Sequence, residues 1–324
     1  MKIGIVPPTE SIGSLGDQML IKGLYDQDPS SQYDLILENV YQDWSHFNHD
    51  HYAFGKVFLN HVYTQQYDKI VIIGADVLDG TYNLNLIQKI QAIFKQTHCN
   101  IYISSFSWSM NPNEYAIRAI KMLNDHRIKW EVRDEISLLR FKKLFPNHSV
   151  ELIHDFGFYV KLDRDEEAYG MVGESILVNL NDMHKKGDKF LIELLTHIPE
   201  KYHVFLLQHD FRQGHREEEL LHNLHKGLKN KSTIVQEGNV NYLKNIYSKV
   251  KYVISSRMHI GIAALSMGIP FIGMEYQDKM EGILKRFNLE ELTCKSPSSL
   301  EKLIYLIEEN LNHYKNEIKT IEEV

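Results

Sequence analysis

Cysteine is nearly absent from this chain of 324 residues, with Cys99 and Cys294 as its two thiols. Two distant cysteines exclude a disulfide framework, and without paired spacing they exclude a cysteine zinc site as well. A basic excess is missing too. Lys and Arg number 36 against 43 Asp and Glu, a formal net charge of −7 with no broad basic stripe, which argues against a general nucleic-acid binder. No apolar run approaches the roughly 18 residues that a membrane-spanning helix needs. The opening MKIGIVPP runs directly into a short strand, without the apolar core or cleavage site of a signal peptide, so a cytoplasmic protein is the expectation. Internal repeats, low-complexity tracts, a P-loop and a nucleophile elbow are lacking as well. Histidine is plentiful at 17 residues, yet His46, His49 and His51 in SHFNHDH fit no common zinc spacing, and no metal site is expected. His215, His222 and His225 fall on a charged helix and read as solvated.

What is present is a chain longer than one comfortable domain, 43% hydrophobic, with strands and helices in alternation. Ile3 to Val6, Tyr33 to Val40, Asp68 to Ala75, Asn100 to Ser105, Ile128 to Val132 and Glu151 to Asp155 read as strands. Helices are predicted from near Asp17, over Ile87 to Phe94, Glu114 to Leu123, and Ile136 to Leu144. A charged run from Lys161 to Glu167, ending at Gly170, reads as a linker, after which the alternation restarts at Ser175. Two α/β domains follow, residues 1–165 and 166–324. From Ser298 the apolar positions Leu300, Leu303, Ile304, Ile307, Leu311, Tyr314, Ile318 and Ile321 keep helical spacing, and Ser298 with Glu301 forms a capping box.

The most informative stretch is KYVISSRMHIGIAALSMGIPFIGMEYQDKM, Lys251 to Met280. Lys251 to Ser256 has the character of a buried strand, Met258 to Met267 that of a short helix closed by Gly268, and Phe271 to Met274 that of the next strand. Ser255, Ser256, Arg257 and His259 occupy the turn between strand and helix, the edge of a parallel sheet where ligands bind. The unpaired amides and positive dipole end of a helix favour an anion there, and Arg257 adds a full charge. Phosphate or carboxylate is the implied ligand. His259 is the side chain in this turn that exchanges protons near neutral pH, hence the candidate acid or base. The bland alternative is that both residues cap and solubilise a helix end.

Other strand ends carry candidates of the same kind. Gly13 and Gly16 permit close backbone approach to a ligand, and Asp17 is either a ligand contact or an N-cap. Arg133 follows the strand Ile128 to Val132 and either reaches a ligand or pairs with Asp134 or Glu135 at the surface. Trp108, in the loop SFSWSMNP, either stacks on a sugar ring or packs in the core.

Ser256-Arg257-Met258-His259, then Ala263-Ala264, Gly268-Ile269-Pro270, and Tyr276 followed by Lys279, resemble the signature of the polysaccharide pyruvyl transferase family. Gly16-Asp17-Gln18-Met19-Leu20 and Val132-Arg133-Asp134 resemble two further motifs of that family. The resemblance implies a GT-B-like fold, with two Rossmann-like domains facing across a cleft and a C-terminal helix packing back on the first. It implies phosphoenolpyruvate as donor substrate, with no separate cofactor, and a sugar hydroxyl pair on a glycan or lipid-linked oligosaccharide as acceptor. A lipid-linked acceptor would place the protein beside the inner membrane face. Ketal formation in cell-surface or capsular polysaccharide synthesis is the implied reaction, with Arg133, Arg257 and His259 catalytic and Gly16, Asp17, Ser256, Tyr276 and Lys279 binding substrate.

Two departures from the family pattern stand out. Ala75 replaces the second residue of a glycine pair, and SFSWSMNP replaces a glycine-rich segment. A nucleotide-sugar glycosyltransferase and a non-catalytic glycan binder are the alternatives. The first would hold a diphosphate on the same helix end; the second would have lost chemistry through those departures.

Overall fold

A computed structural model describes residues 1–9, 13–38, 54–80, 84–161, 174–181, 187–212, 214, 216–236, 238–240, 243–274 and 279–319. The histidine group at 46–51, Tyr276 and the expected linker from residue 162 onward, with the boundary at 165 and 166, lie outside these residues. The chain divides into two units, one formed by Met1–Ile12 with Met19–Val160 and the other by Gly13–Gln18 with Lys161–Val324.

In the first unit the elements run β1 (Lys2–Val6), α1 (Leu15–Gln27, of which Leu15 to Gln18 are counted with the second unit), β2 (Gln32–Leu37), β3 (Gly55–Phe58), β4 (Lys69–Ala75), α2 (Asn85–Gln96), β5 (Asn100–Phe106), α3 (Glu114–Met122), β6 (Ile128–Val132), α4 (Glu135–Leu144) and β7 (Val150–Leu152). The strands form a parallel sheet in the order β3-β2-β1-β4-β5-β6-β7, with Ile5 of β1 opposite Leu35 on one side and Val71 on the other. From Ile70 on, β4 is apolar and buried because both of its faces are covered. Ile70 and Ile72 join a core with α2, α3 and α4, while Val71 and Ile73 join Leu20, Ile21 and Leu24 of α1. β3 went unread in the sequence: it is a short strand of partly exposed residues at the sheet edge, with no apolar alternation to mark it. β7 is shorter than its sequence suggests because Asp155 leaves the strand to cap a 3₁₀ turn, Phe156–Tyr159.

The second unit runs β8 (Ser175–Asn179), α5 (Gly187–Leu195), β9 (His203–Leu207), α6 (Glu217–Gly227), β10 (Ser232–Val235), α7 (Leu243–Tyr247), β11 (Val253–Ser255), α8 (Met258–Leu265), β12 (Phe271–Met274), α9 (Lys279–Lys285), β13 (Thr293–Cys294) and α10 (Pro297–Lys319). Its parallel sheet has the order β10-β9-β8-β11-β12-β13. Leu177 of β8 stands opposite Phe205 of β9 and Val253 of β11. α10 buries Leu300, Leu303, Ile304, Ile307, Tyr314 and Ile318. This helix, expected to cover the first domain, packs against α5 and β13 of its own unit. It is interrupted at Asn310, whose φ of −119° is not helical and whose side-chain amide donates to the Leu306 carbonyl. No helix among the described residues is long and apolar enough to cross a membrane.

Candidate functional site

The order of the second sheet reverses between β8 and β11, since β9 and β10 are added on one side of β8 and β11 to β13 on the other. At such a switch point the connections leave the carboxyl edge in opposite directions and open a crevice, the usual ligand position in this kind of sheet. The turn read from the sequence sits there. The Ser256 amide donates to the Asn179 carbonyl at 3.0 Å, and the Ser256 hydroxyl accepts from the Asn181 amide at 2.5 Å. Ser256 is thus fully buried and ties the ends of β8 and β11 together. The Ser255 hydroxyl accepts from the Arg257 amide at 2.9 Å, fixing the first residue of the turn. Arg257 is the N-cap of α8 but supplies no side-chain capping bond, so its guanidinium serves another purpose.

The Arg257 side chain is 13% exposed, and its guanidinium faces two carboxylates whose side chains are fully enclosed, with Nη2 at 3.6 Å from both Asp210 and Glu217. Asp210 lies beyond the end of β9, and Arg212 also grips it, through Nε at 2.8 Å and a second, shorter bond from Nη2. Burial alone would raise the Asp210 carboxyl, but the bonds and charge of Arg212, joined by Arg257, hold it down at about 2. Glu217 opens α6. Its Oε1 accepts from Asn179 Nδ2 at 2.8 Å and its Oε2 from the Asp210 amide at 2.7 Å. Burial nevertheless pushes Glu217 up to about 7, against the pull of Arg257 and those bonds. Two carboxylates on one arginine therefore have opposite tendencies, a division that elsewhere assigns proton-holding and charge-holding roles.

His259, in the first turn of α8, is half-buried. Beside it stands His209, 4% exposed, whose Nε2 accepts the Gly16 amide at 3.1 Å. An imidazole nitrogen that accepts cannot carry a proton, so His209 is neutral and protonated on Nδ1. Burial, reinforced by the positive charge of Arg257, keeps its pKa well below the ordinary histidine value. Nδ1 finds no hydrogen-bond partner among the described residues. Gly16 is needed because both rings crowd its α-carbon: a Cβ there would lie 2.6 Å from His259 Nδ1 and 3.2 Å from His209 Nε2. At Gly13 a Cβ would come within 2.4 Å of Arg212 Cγ. On the Cβ side these glycines thus face side chains of the second unit. Asp17 is not the N-cap; Ser14 takes that role, its hydroxyl accepting the Asp17 amide at 3.1 Å.

Arg133 has a different setting in the first unit. It is 1% exposed, with Nη1 at 2.9 Å from Asp155 and Nε donating to the Ser107 hydroxyl at 2.9 Å. Ser107 donates to Asp134 at 2.9 Å, Asp134 caps α4 through the Ser137 amide at 2.7 Å, and the Ser105 hydroxyl donates to Asp155 at 3.0 Å. The arginine expected to reach a ligand is enclosed in a polar network at the ends of β5 and β6. The sequence alternative, a surface pair with Asp134 or Glu135, does not describe it either. Trp108 is a core residue, 1% exposed and edge-on to Phe141 and Phe145. Ala75 adopts φ +44° and Ser105 φ +51°, left-handed conformations that explain why glycine would suit position 75. Lys279 begins α9.

The structure thus brings Gly16, Ser256, Arg257 and His259 together in the second unit and adds His209, Asp210, Arg212 and Glu217, which the sequence reading passed over. One signal was available: Gln208-His209-Asp210 is a polar triplet directly after the buried strand HVFLL, at a carboxyl edge. Among the described residues no group of three His, Cys, Asp or Glu is arranged to hold a metal ion.

The family model for polysaccharide pyruvyl transferase matches residues 15–278. No curated protein matches the chain. Among solved structures, S. aureus MnaA with UDP superposes with a TM-score of 0.62 at 11% identity, covering 98% of this chain and 90% of that one. A glycosyltransferase from Rickettsia africae gives 0.62 at 10% identity, covering 98% and 93%. The UDP-GlcNAc 2-epimerase from Neisseria meningitidis bound to UDP-GlcNAc gives 0.57 at 12% identity, covering 98% and 94%. At these identities the likeness is one of fold, a pair of parallel-sheet α/β domains of the GT-B kind.

Proposed function

Because the chain belongs to the polysaccharide pyruvyl transferase family, we propose that it transfers a pyruvyl group from phosphoenolpyruvate to two hydroxyls of a sugar, forming a ketal and releasing phosphate. The observation that carries this reading is Arg257 and His259 on the first turn of α8 at the switch point of the second sheet. Arg257 and the helix end neutralise the donor's phosphate or carboxylate. His259 moves a proton, either to the enol carbon as the double bond is consumed or from an attacking hydroxyl. Ser256 and Gly16 act through position, one by joining β8 to β11 and the other by leaving room for both histidines. Arg133 acts likewise, by holding the ends of β5 and β6. Tyr276 and Lys279 retain a substrate-binding role on the strength of the motif. The acceptor is a glycan, free or lipid-linked, in cytoplasmic assembly of a surface polysaccharide.

Phosphate release from phosphoenolpyruvate, measured over a panel of sugar acceptors, tests this. His259→Gln should keep donor binding and lose turnover by roughly a hundredfold or more. Turnover at the parent rate would remove His259 from the chemistry. No release with any acceptor, together with a thermal shift from a nucleotide sugar, would replace this reading by glycosyl transfer.

A further inference from the structure

Arg257 is held between two carboxylates, and the two are not equivalent. Asp210 has a second cation, Arg212, fixed to it by two side-chain bonds. Besides Arg257, Glu217 has only neutral donors among the described residues, the Asn179 amide and the Asp210 backbone amide. With both carboxylates ionised, the charges of Arg212 and Arg257 are cancelled, and an incoming anion meets a neutral cluster. With one carboxyl protonated, the cluster carries a net positive charge. Asp210, doubly held, keeps its charge, so the proton belongs on Glu217.

We propose that Glu217 is a positioning residue for Arg257 that takes up a proton when an anion binds, releasing the guanidinium from carboxylate to ligand. The proposal rests on the reading of Arg257 as the anion-binding group. Its geometric basis is one guanidinium nitrogen 3.6 Å from each of two enclosed carboxylates. The groups facing Glu217 are Arg257 at the head of α8, Asp210 beyond β9 and Asn179 at the end of β8. Arg216, Glu218 and Glu219, its neighbours along α6, are exposed. β10, which packs on α6, carries no charged residue, and on β9 the one titratable residue is His203, bonded to Thr233 at the opposite end of the strand. His209, next to Asp210, is neutral, which leaves Glu217 as the carboxyl on Arg257 whose charge can change. Its elevated pKa, about 7, places the change in the neutral range, and a bound anion raises it further. Affinity therefore grows as pH falls, by about tenfold for each unit the ligand adds to that pKa.

Calorimetry on the full chain, with phosphoenolpyruvate and with inorganic phosphate, reads this directly when each titration is repeated in two buffers of different ionisation heat. Over pH 7 to pH 9 a phosphate monoester such as phosphoenolpyruvate is past its second ionisation, near 6; inorganic phosphate still titrates in the lower part of that window, and its own proton exchange, common to the parent and Glu217→Gln, is removed by taking the difference between the two proteins. The parent protein should take up a substantial fraction of one proton per anion and lose about tenfold in affinity across the window. Glu217→Gln should bind with no such uptake and a flat profile, and Glu217→Asp should restore part of the slope. Difference infrared spectra of the unsubstituted protein should show a carboxylate band replaced by a carboxylic-acid band as phosphate binds. Zero uptake by the parent, uptake unchanged in Glu217→Gln, or no gain of the acid band each overturns the proposal. Phosphate binding with Glu217-dependent uptake but no phosphoenolpyruvate binding would overturn the proposed donor and leave this inference standing. Phosphoenolpyruvate binding without it would do the reverse. Binding of neither anion would overturn both.

Discussion

Arg133 and Arg257 occupy equivalent places, each directly after a strand at the carboxyl edge of a parallel sheet, yet their surroundings set them to different tasks. Arg133 meets Asp155 at 2.9 Å and is 1% exposed; its partners are in turn held by Ser105, Ser107, Asp134 and Ser137. Arg257 stands farther from its two carboxylates, at 3.6 Å, and keeps 13% of its side chain exposed. An enclosed ion pair with its hydrogen bonds made is a structural element, costly to break. A guanidinium shared between two acids, with neither carboxylate within close hydrogen-bonding distance of the shared Nη2, can exchange one of them for a ligand. Strand-end position alone does not tell the two settings apart: the counter-charges are equally enclosed, and what differs is their distance, 2.9 Å for Arg133 against 3.6 Å for Arg257.

The largest expected effect breaks the first member of the pair. Arg133→Ala leaves Asp155 buried without its cation and should cost roughly 3–5 kcal/mol of stability. Chemical denaturation should show this as a fall in midpoint, while Arg257→Ala should move the midpoint far less because Asp210 keeps Arg212 and Glu217 can take up a proton. Equal losses in the two variants would erase the distinction drawn between them.

The next effect concerns the pH dependence of the second site. Glu217 titrates near 7 in the fold against an ordinary value of 4.5, so the folded state binds that proton more tightly than the unfolded one. Its contribution is most favourable below pH 4.5 and is lost as pH rises through 7. The loss amounts to about 3 kcal/mol. Asp210 has the opposite sign: its folded value of about 2 lies below 3.8, so its stabilisation is present above pH 3.8 and disappears as pH falls through 2. Between pH 5 and pH 8 the Glu217 contribution should dominate this pair. Glu217→Gln should flatten the decline of unfolding free energy over that range, and an unchanged slope would mean that Glu217 is ionised throughout.

A smaller effect sharpens the assignment of Arg257. Arg257→Lys keeps the charge but replaces a planar fork by a point ammonium. Loss of one charged hydrogen bond to the donor should weaken phosphoenolpyruvate about tenfold, with thermal stability nearly unchanged. An undiminished affinity in calorimetry would reduce Arg257 to a helix-end residue.

The difference between the two arginines also marks what could be read from the sequence. The strand-turn-helix pattern of Val253 to Leu265 was legible because burial on both faces and a short helix leave a clear apolar record, and it placed Ser256, Arg257 and His259 correctly on the edge. The partners of each arginine were not legible. Asp155 follows Arg133 by 22 positions and Asp210 precedes Arg257 by 47, and nothing in either interval records that they meet. Glu217 is one of three consecutive glutamates opening α6, and only packing determines that it alone is buried. Gly16 announced a close approach but not by what, since the rings of His209 and His259 come from far along the chain.

The smallest effect tests strain at the first sheet's edge. Ala75 ends β4 at φ +44°, where a residue with a Cβ costs roughly 1–2 kcal/mol. Ala75→Gly removes that strain but gives up a buried methyl, about 0.8 kcal/mol, and adds backbone entropy of about 0.5–1 kcal/mol. These terms nearly cancel, so the variant should lie within about 0.5 kcal/mol of the parent. Ala119→Gly in α3 provides the contrast, because Ala119 is buried in an ordinary helix and its methyl and entropy losses of about 1.5 kcal/mol meet no compensating relief. Denaturation midpoints of the two variants decide the matter. If Ala75→Gly is as destabilising as Ala119→Gly, the left-handed backbone at the end of β4 carries no strain, and the replacement of a glycine there has no energetic consequence for that edge.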